Sequence, residues 1–207
     1  MNLILFEAGE IGSPLALKDP RAVHLLRVLG RRQGEPFDAG IVDGPRGRAR
    51  IASMGTHALT LAFEPGGEPP PLDPIHLLIA IPRPQTARKI LNEAASLGVA
   101  SIRFFPSGKG EPGYAASTLW RSPEWRRHLL DGAAQAFDTR LPQVAHDSGL
   151  AESIAALGQP TTLRAIGVKR EQLQKIAEAA MQNLWVRTNP RPIRSAEDVM
   201  GILEAAW

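Results

Sequence analysis

The sequence has no cysteine in 207 residues, so it holds neither a disulfide framework nor a thiolate metal site, and a reducing compartment is permitted. Its first residues, MNLILFEAGE, lack a basic n-region and break their short apolar run at Glu7. That pattern is neither a secretory signal nor a spanning helix, and it gives the expectation of a cytoplasmic protein without a membrane partner. A strong charge of one sign is also missing: Lys and Arg exceed Asp and Glu by 24 − 21 = 3, which alone says little about partners. No phosphate-loop lysine motif, dinucleotide glycine fingerprint or pair of histidines at helical spacing occurs. His24, His57, His76, His128 and His146 are scattered, and a lone histidine is more often structural than a ligand, so no metal is expected. Glu93, Asp131 and Asp138 form no recognisable general acid/base pair, which leaves catalytic residues unassigned. No internal repeat is present.

A hydrophobic content of 43% can nevertheless fill a real core. From Leu3 to Glu64 short apolar strands (LILF, PFDAGIV, GRARIASM, ALTLAF) alternate with Gly and Pro, interrupted by one helical patch, DPRAVHLLRVL. Short strands separated by turns suggest a small barrel. The Pro-rich run from Pro65 to Pro74 cannot continue a central strand or helix, because proline fixes φ and removes a donor. It is the best linker in the chain. After it the period changes. IHLLIAI reads as a strand, followed by a helix over TARKILNEAASLG with Ala87, Ile90, Leu91, Ala94 and Ala95 on one face. SIRFFP and LPQVA read as further strands. Between them Ser122 caps a helix with Pro123 at its first position and an apolar stripe of Trp125, Leu129, Leu130, Ala133 and Phe137. Strands and helices alternating at this spacing imply a parallel α/β sheet covered by helices. Beyond Gly149 only helical patterns remain, with stripes Leu173, Ile176, Ala177, Ala180 and Val199, Ile202, Leu203, Ala206, the second behind the capping residue Ser195.

Basic residues gather at Arg21 to Arg50, at Arg83, Arg88 and Lys89, and around Arg121 to Arg140. A solvated face explains such clusters as readily as nucleic acid does. HLLRVLGRRQGE sets Arg27, Arg31 and Arg32 beside a turn, where guanidinium forks grip phosphates, or where a helix end is simply solvated. QAFDTRLP puts Gln135, Thr139 and Arg140 at a helix-to-strand junction, a common place for ligand contacts in open α/β sheets and also a plain helix stop.

Taken in order, MNLILFE, HLLRVLGRRQGE, the Pro-rich linker, LLIAIPRPQTARKILNEAASLGV, GYAASTLW and LLDGAAQAFDTRLPQV resemble the ribosomal RNA small-subunit methyltransferase E family over residues 1 to about 144. In that family a PUA-like RNA-binding barrel precedes a SPOUT domain, a knotted α/β homodimer that uses S-adenosylmethionine to methylate N3 of a 16S ribosomal RNA uridine. The resemblance implies an α/β protein with a barrel at 1–66, a linker at 67–74, a SPOUT-like part at 75–150 and a helical tail at 151–207. It places His24, Arg27 and Arg31 on the RNA-facing barrel and Arg88, Lys89, Gln135 and Arg140 near the substrate cleft, and it makes ribosomal RNA or the small ribosomal subunit the partner. Arg32 joins this set from its position beside the same turn.

The family's Gly-Pro-Glu-Gly-Gly-type loop and Leu-Arg-x-Glu-Thr-Ala helix start, which tie the knot, bind the cofactor and make the dimer, do not occur after Val144. No cofactor-binding residue is assigned for that reason. From about Leu157 the tail resembles the C-terminal helices of iron-containing alcohol dehydrogenases and maleylacetate reductases, with Gly-Val, a spaced Ala-Glu-x-Ala and Asn-Pro-Arg-Pro. The expectation is therefore a SPOUT-like body whose knot is replaced by helices. Three functions follow from it: a methyltransferase of the family, a non-catalytic RNA-binding relative or chimera, and, remotely, an oxidoreductase fragment.

Overall fold

A computed structural model of the chain describes residues 3–188 and 192–207. Met1 and Asn2, which open MNLILFE, and residues 189–191 of the Asn-Pro-Arg-Pro motif lie outside the described residues. The fold divides into two compact units, Met1–Ser148 and Gly149–Trp207.

The first unit begins with β1 (Ile4–Phe6), β2 (Leu15–Ala16), α1 (Pro20–Val23), β3 (Pro36–Ile41), β4 (Arg46–Met54) and β5 (Ala58–Pro65). They form a five-stranded sheet in the order β1-β3-β4-β5-β2, with β1 parallel to β3 and the other pairs antiparallel. A register shift between Ile51 and Ser53 interrupts the β4–β5 ladder. Bulges of this kind bend a strand. Ile4, Phe6, Phe37, Ala39, Ile51, Leu59 and Leu61 bury one face together with Ala22 and Leu25 of the helical patch. The two-residue β2 is too short to register as a strand pattern. The helical patch also differs from a continuous α-helix: after α1 the chain widens into a π-turn at His24–Val28.

The second part of this unit holds β6 (Asp73–Ala80), α2 (Pro84–Ser96), β7 (Val99–Phe105), α3 (Pro112–Ala115), α4 (Thr118–Arg121), α5 (Glu124–Gln135) and β8 (Gln143–Ala145). The three strands are parallel in the order β6-β7-β8. Register and alternation place Leu77, Ile79, Ile102, Phe104 and Val144 on one face, packed with α2 and α5 through Ala87, Leu91, Ala94, Ala95 and Leu129. His76, Ser101, Arg103 and Gln143 take the other face, where the His76 Nδ1 and Ser101 Oγ atoms lie 2.8 Å apart.

Pro123 is the N-cap and α5 starts at Glu124, with the Ser122 hydroxyl accepting the Glu124 N–H at 3.3 Å. Phe137 is not on the helical stripe: α5 ends at Gln135, and Phe137 takes a left-handed φ of 63° and is 37% exposed.

The two parts of the first unit share a small core of Leu3, Leu5, Val42, Ala133 and Ala134. Arg126 pairs with Glu7 across the same boundary.

The second unit holds α6 (Leu150–Ala155), α7 (Leu173–Ala180), α8 (Leu184–Arg187) and α9 (Ala196–Ala205), and no strand among its described residues. Ser195 caps α9 as its sequence suggests, accepting the Asp198 N–H at 3.4 Å. Leu173 and Ala177 of α7 and Val199 of α9 are buried where these helices pack. The indole N–H of Trp207 donates to the Val168 carbonyl at 3.2 Å, and the Arg164 and Arg170 guanidiniums lie 5.6 and 5.3 Å from its ring.

Candidate nucleic-acid interface

Local chemistry sets the turn that carries the first group of arginines. Asp19 caps α1, its Oδ1 accepting the Arg21 N–H at 2.8 Å, and Pro20 fits the first helical position, where no donor is needed. Leu25 is wholly buried and anchors the π-turn. Its end is closed by Leu29 N–H to the His24 carbonyl and Arg31 N–H to the Leu25 carbonyl, both at 2.9 Å. Gly30 then reverses the chain at a φ of +61°, a conformation glycine adopts without cost. The result is an exposed run of Arg27, Val28, Leu29 and Arg32, with Val28 68% exposed. His24 and Arg31 flank it half-buried, and His24 Nε2 and Arg31 Nε are buried without a hydrogen-bond partner among the described residues. Native structures rarely leave such atoms unpaired.

The structure sorts the arginines between positions 21 and 50, a distinction invisible in the charge pattern. Arg21 is held by Glu10 at 2.7 Å and Asp19 at 2.9 Å and stacks over the Phe6 ring at 4.9 Å. Its guanidinium holds both carboxyls below the usual carboxylate range through these hydrogen bonds. Arg48 pairs with Asp38 at 2.7 Å and Arg50 pairs with Glu64. Arg46 donates to the Phe137 carbonyl at 2.8 Å. Among the described residues, the side chains of Arg27, Arg31 and Arg32 make no ion pair or hydrogen bond. These three are the ones left to meet an external anion.

The second group is differently occupied. Arg88 Nε donates to Glu124 Oε1 at 2.6 Å, tying α2 to α5, and holds the Glu124 carboxyl below its usual range. Lys89 is exposed on α2, and Gln135 is exposed at the end of α5. Arg140 straps the linker, donating to the carbonyls of Pro70 at 3.0 Å and Pro69 at 3.3 Å. The junction read as a ligand position is largely an internal seam. Thr139 is fully buried and donates to the Gly44 carbonyl at 2.6 Å, while Leu141 N–H donates to Asp43 at 3.0 Å. Arg88 and Arg140 are bonded to Glu124 and to the Pro69 and Pro70 carbonyls, away from the Arg27–Arg32 turn.

A further cluster lies at the carboxyl ends of the parallel strands, where open α/β sheets bind ligands. A cavity of about 140 Å³ is lined there by Ile81, Pro106, Ser107, Gly110, Glu111 and Pro112. His146, directly after β8, stacks on Trp120 with centroids 5.0 Å apart and meets Trp125 at 6.4 Å. Reading His146 as one scattered histidine missed this; its place just past a strand end is the available signal. Among the described residues no group of three or more His, Asp or Glu is placed to hold a metal, and no helix is long and apolar enough to cross a membrane.

Comparison with known proteins adds four findings. Residues 68–189 match the family described as RNA methyltransferase domain. The chain is 33% identical over 196 residues to the ribosomal RNA small subunit methyltransferase E of Treponema pallidum, covering 90% of this chain and 74% of the relative. It is 30% identical over 159 residues to ribosomal RNA small subunit methyltransferase E 1 of Borreliella burgdorferi, covering 77% and 67%. Among solved structures it resembles that of a ribosomal RNA small subunit methyltransferase E from Neisseria gonorrhoeae bound to S-adenosyl methionine. That likeness has a TM-score of 0.57 at 18% identity over 99% of this chain and 96% of that one, and at such identity it speaks for the fold. The similarity therefore runs well past residue 144, where the sequence reading ended it, and takes in most of the tail.

Proposed function

This chain belongs to the ribosomal RNA small-subunit methyltransferase E family, and we propose that it binds small-subunit ribosomal RNA through the turn bearing Arg27, Arg31 and Arg32. The observation that carries this reading is the sorting of the arginines: those nearby are committed to carboxylates or carbonyls, and among the described residues the side chains of these three have no such partner. Guanidinium forks suit phosphate oxygens, and the exposed Val28 and Leu29 between them offer apolar surface to a sugar or base. In this reading the five-stranded sheet is the PUA-like RNA-binding part and the three-stranded sheet the SPOUT-like part, joined by the Pro-rich segment. Lys89 and Gln135 are secondary contacts, while Arg88 and Arg140 hold the body together.

Replacing Arg27 and Arg31 together by alanine is expected to weaken RNA binding and to lower the log–log salt slope by roughly 0.7 to 0.9 for each lost phosphate contact. Arg88→Ala is expected to lower stability and leave that slope in place. An unchanged affinity and slope in the double variant, measured by titration across salt concentrations, would remove the turn from the interface.

A second reading, methyl transfer from S-adenosylmethionine to uridine N3 of that RNA, is favoured by the family match reaching residue 189. At the carboxyl ends of the parallel strands the space is small for that cofactor. The carboxyl-edge cavity of about 140 Å³ is well below the roughly 300 to 1,000 Å³ of small-molecule pockets. A larger crease of about 300 Å³ lies between the first sheet and α5, rimmed by Glu7, Glu10, Asp19, Arg21 and Asp131, and no residue of the parallel strands lines it. Glycines that would let a backbone approach a cofactor closely are isolated after β8, at Gly149, Gly158, Gly167 and Gly201. Titration with labelled S-adenosylmethionine is expected to show no saturable binding. Saturable binding, with methyl incorporation into small-subunit RNA, would establish the second reading instead. The match over the tail to this family leaves no basis for proposing an oxidoreductase.

A further inference from the structure

Residues 163–170 of the tail have the composition of the turn that carries Arg27. Leu26-Arg27-Val28-Leu29-Gly30 is followed by Arg31 and Arg32, and Leu163-Arg164-Ala165-Ile166-Gly167 is followed by Val168, Lys169 and Arg170. A likeness this short does not register as a sequence repeat. The two backbones agree with it. Each run makes a single tight turn, a π-turn at His24–Val28 and a 3-10 turn at Arg164–Ile166, and each then meets a left-handed glycine, with φ of +61° at Gly30 and +86° at Gly167. Each also presents an apolar residue to solvent before that glycine, Val28 68% and Ile166 61% exposed.

The tail turn has a fixed aromatic platform beside it. Leu163 N–H donates to the Ala206 carbonyl at 2.7 Å, Val168 N–H to the Leu163 carbonyl at 3.0 Å, and the Trp207 indole N–H to the Val168 carbonyl at 3.2 Å, so the turn and the end of α9 are fastened together. The guanidiniums of Arg164 and Arg170 lie by the Trp207 ring. A guanidinium held over a ring keeps its in-plane N–H donors available, and its restricted motion lowers the cost of ordering it on a ligand. Between these groups is an open cleft of about 550 Å³, whose charged lining is Arg164, Lys169, Arg170 and Glu171, a net 3 − 1 = +2. Among the described residues neither Arg164 nor Lys169 makes an ion pair. Arg170 meets Glu204 at 3.6 Å, with both side chains more than half exposed, and a surface pair of that kind contributes little.

We propose that this cleft is a second phosphate site on the chain and takes a phosphodiester of single-stranded RNA, with Arg164, Lys169 and Arg170 on the phosphate oxygens and Ile166 against a sugar or base. Given the reading that the chain binds RNA, the site adds a contact carried wholly by the Gly149–Trp207 unit. Three cations around one cleft suit an oxyanion with several acceptor oxygens, whereas a carboxylate is satisfied by a single guanidinium fork. An exposed apolar residue beside them suits a single strand, whose bases and sugars are not hidden in a duplex.

Cross-linking separates the tail site from the first turn. A single-stranded oligonucleotide carrying thiouridine, irradiated with the full chain, is expected to attach to residues 163–170 or Trp207 as well as to residues 27–32, as mapped by peptide mass spectrometry. Attachment confined to residues 27–32 overturns the tail site and leaves the first turn standing. Attachment confined to the tail does the reverse, and no attachment overturns both. In titrations across salt, Arg164→Ala/Lys169→Ala is expected to lower the log–log slope by about 1.4, two contacts at roughly 0.7 each on a single strand. An unchanged slope removes the site. Glu204→Gln, which releases Arg170 to the strand, is expected to tighten binding a few-fold, a gain that unfolding of the tail does not produce. Unchanged or weaker affinity in that variant overturns the role given to Arg170. Inorganic phosphate at constant ionic strength is expected to displace the strand only weakly. Displacement as effective as that by unlabelled oligonucleotide would assign the cleft to a free phosphate ligand and overturn the RNA strand as its occupant.

Discussion

Replacing Gly132 by valine is expected to destabilise the first unit by about 3 kcal/mol or more, toward the upper end of what inserted core volume costs. Gly132 lies in the C-terminal half of α5, where this helix packs against α2. A Cβ at this position would sit 2.1 Å from the Asn92 carbonyl oxygen and 2.9 Å from its carbon, with the Ala95 methyl at 3.0 Å. Backbone atoms cannot swing aside as a side-chain tip does, so the helices themselves must part. The polar contacts at the crossing depend on the same approach: the Ser96 hydroxyl bonds the carbonyls of both Asn92 and Gly132 at 3.0 Å. Gly132→Ala separates this account from a trivial one. In an open helix interior alanine gains roughly 1 kcal/mol over glycine, so a stabilised Gly132→Ala in chemical denaturation would show that the helices do not touch here. Loss of stability in both variants, larger for valine, is the expected result.

Much of this arrangement is legible in the sequence, and the reason is period. The helix stripe Ala87, Leu91, Ala94, Ala95 is buried as its spacing implies, and IHLLIAI, SIRFFP and LPQVA become the three parallel strands. Polar side chains are harder to read because their fate depends on partners distant in sequence. Arg48 and Arg27 look alike in a charge run, and only folding brings Asp38 to the first and no ion-pair partner among the described residues to the second. Arg140 sits at a ligand-like junction, yet its guanidinium is taken by linker carbonyls about 70 positions away. Phe137 completes a helical stripe on paper, but α5 has already ended and its backbone turns left-handed. The π-turn at His24–Val28 is equally hidden, since its apolar spacing passes for an ordinary helix. The carboxyl-edge aromatic cluster shows the same limit, because Trp120, Trp125 and His146 become neighbours only once β8 is paired.

The tail shows where periodicity overreaches, and Leu173→Ala against Ile176→Ala measures by how much. Both residues belong to one stripe, and a stripe of four predicts similar burial for all its members. In the folded unit Leu173 is 1% and Ala177 0% exposed, one turn apart on α7, whereas Ile176 is 37% exposed; on α9 Val199 is 8% and Ile202 40% exposed. Two short helices packed together bury a seam narrower than their full apolar faces. Leu173→Ala is therefore expected to cost about 2 to 5 kcal/mol, a large share of what a unit of roughly 60 residues holds in reserve. Ile176→Ala, already partly in water, is expected to cost under about 1.5 kcal/mol, since less apolar area returns to solvent. Hydrogen exchange of the amides of α7 and α9 reads the two variants separately from the first unit. Equal losses of protection would mean that Ile176 is covered in solution, and protection untouched by Leu173→Ala would mean that α7 and α9 do not form a core at all.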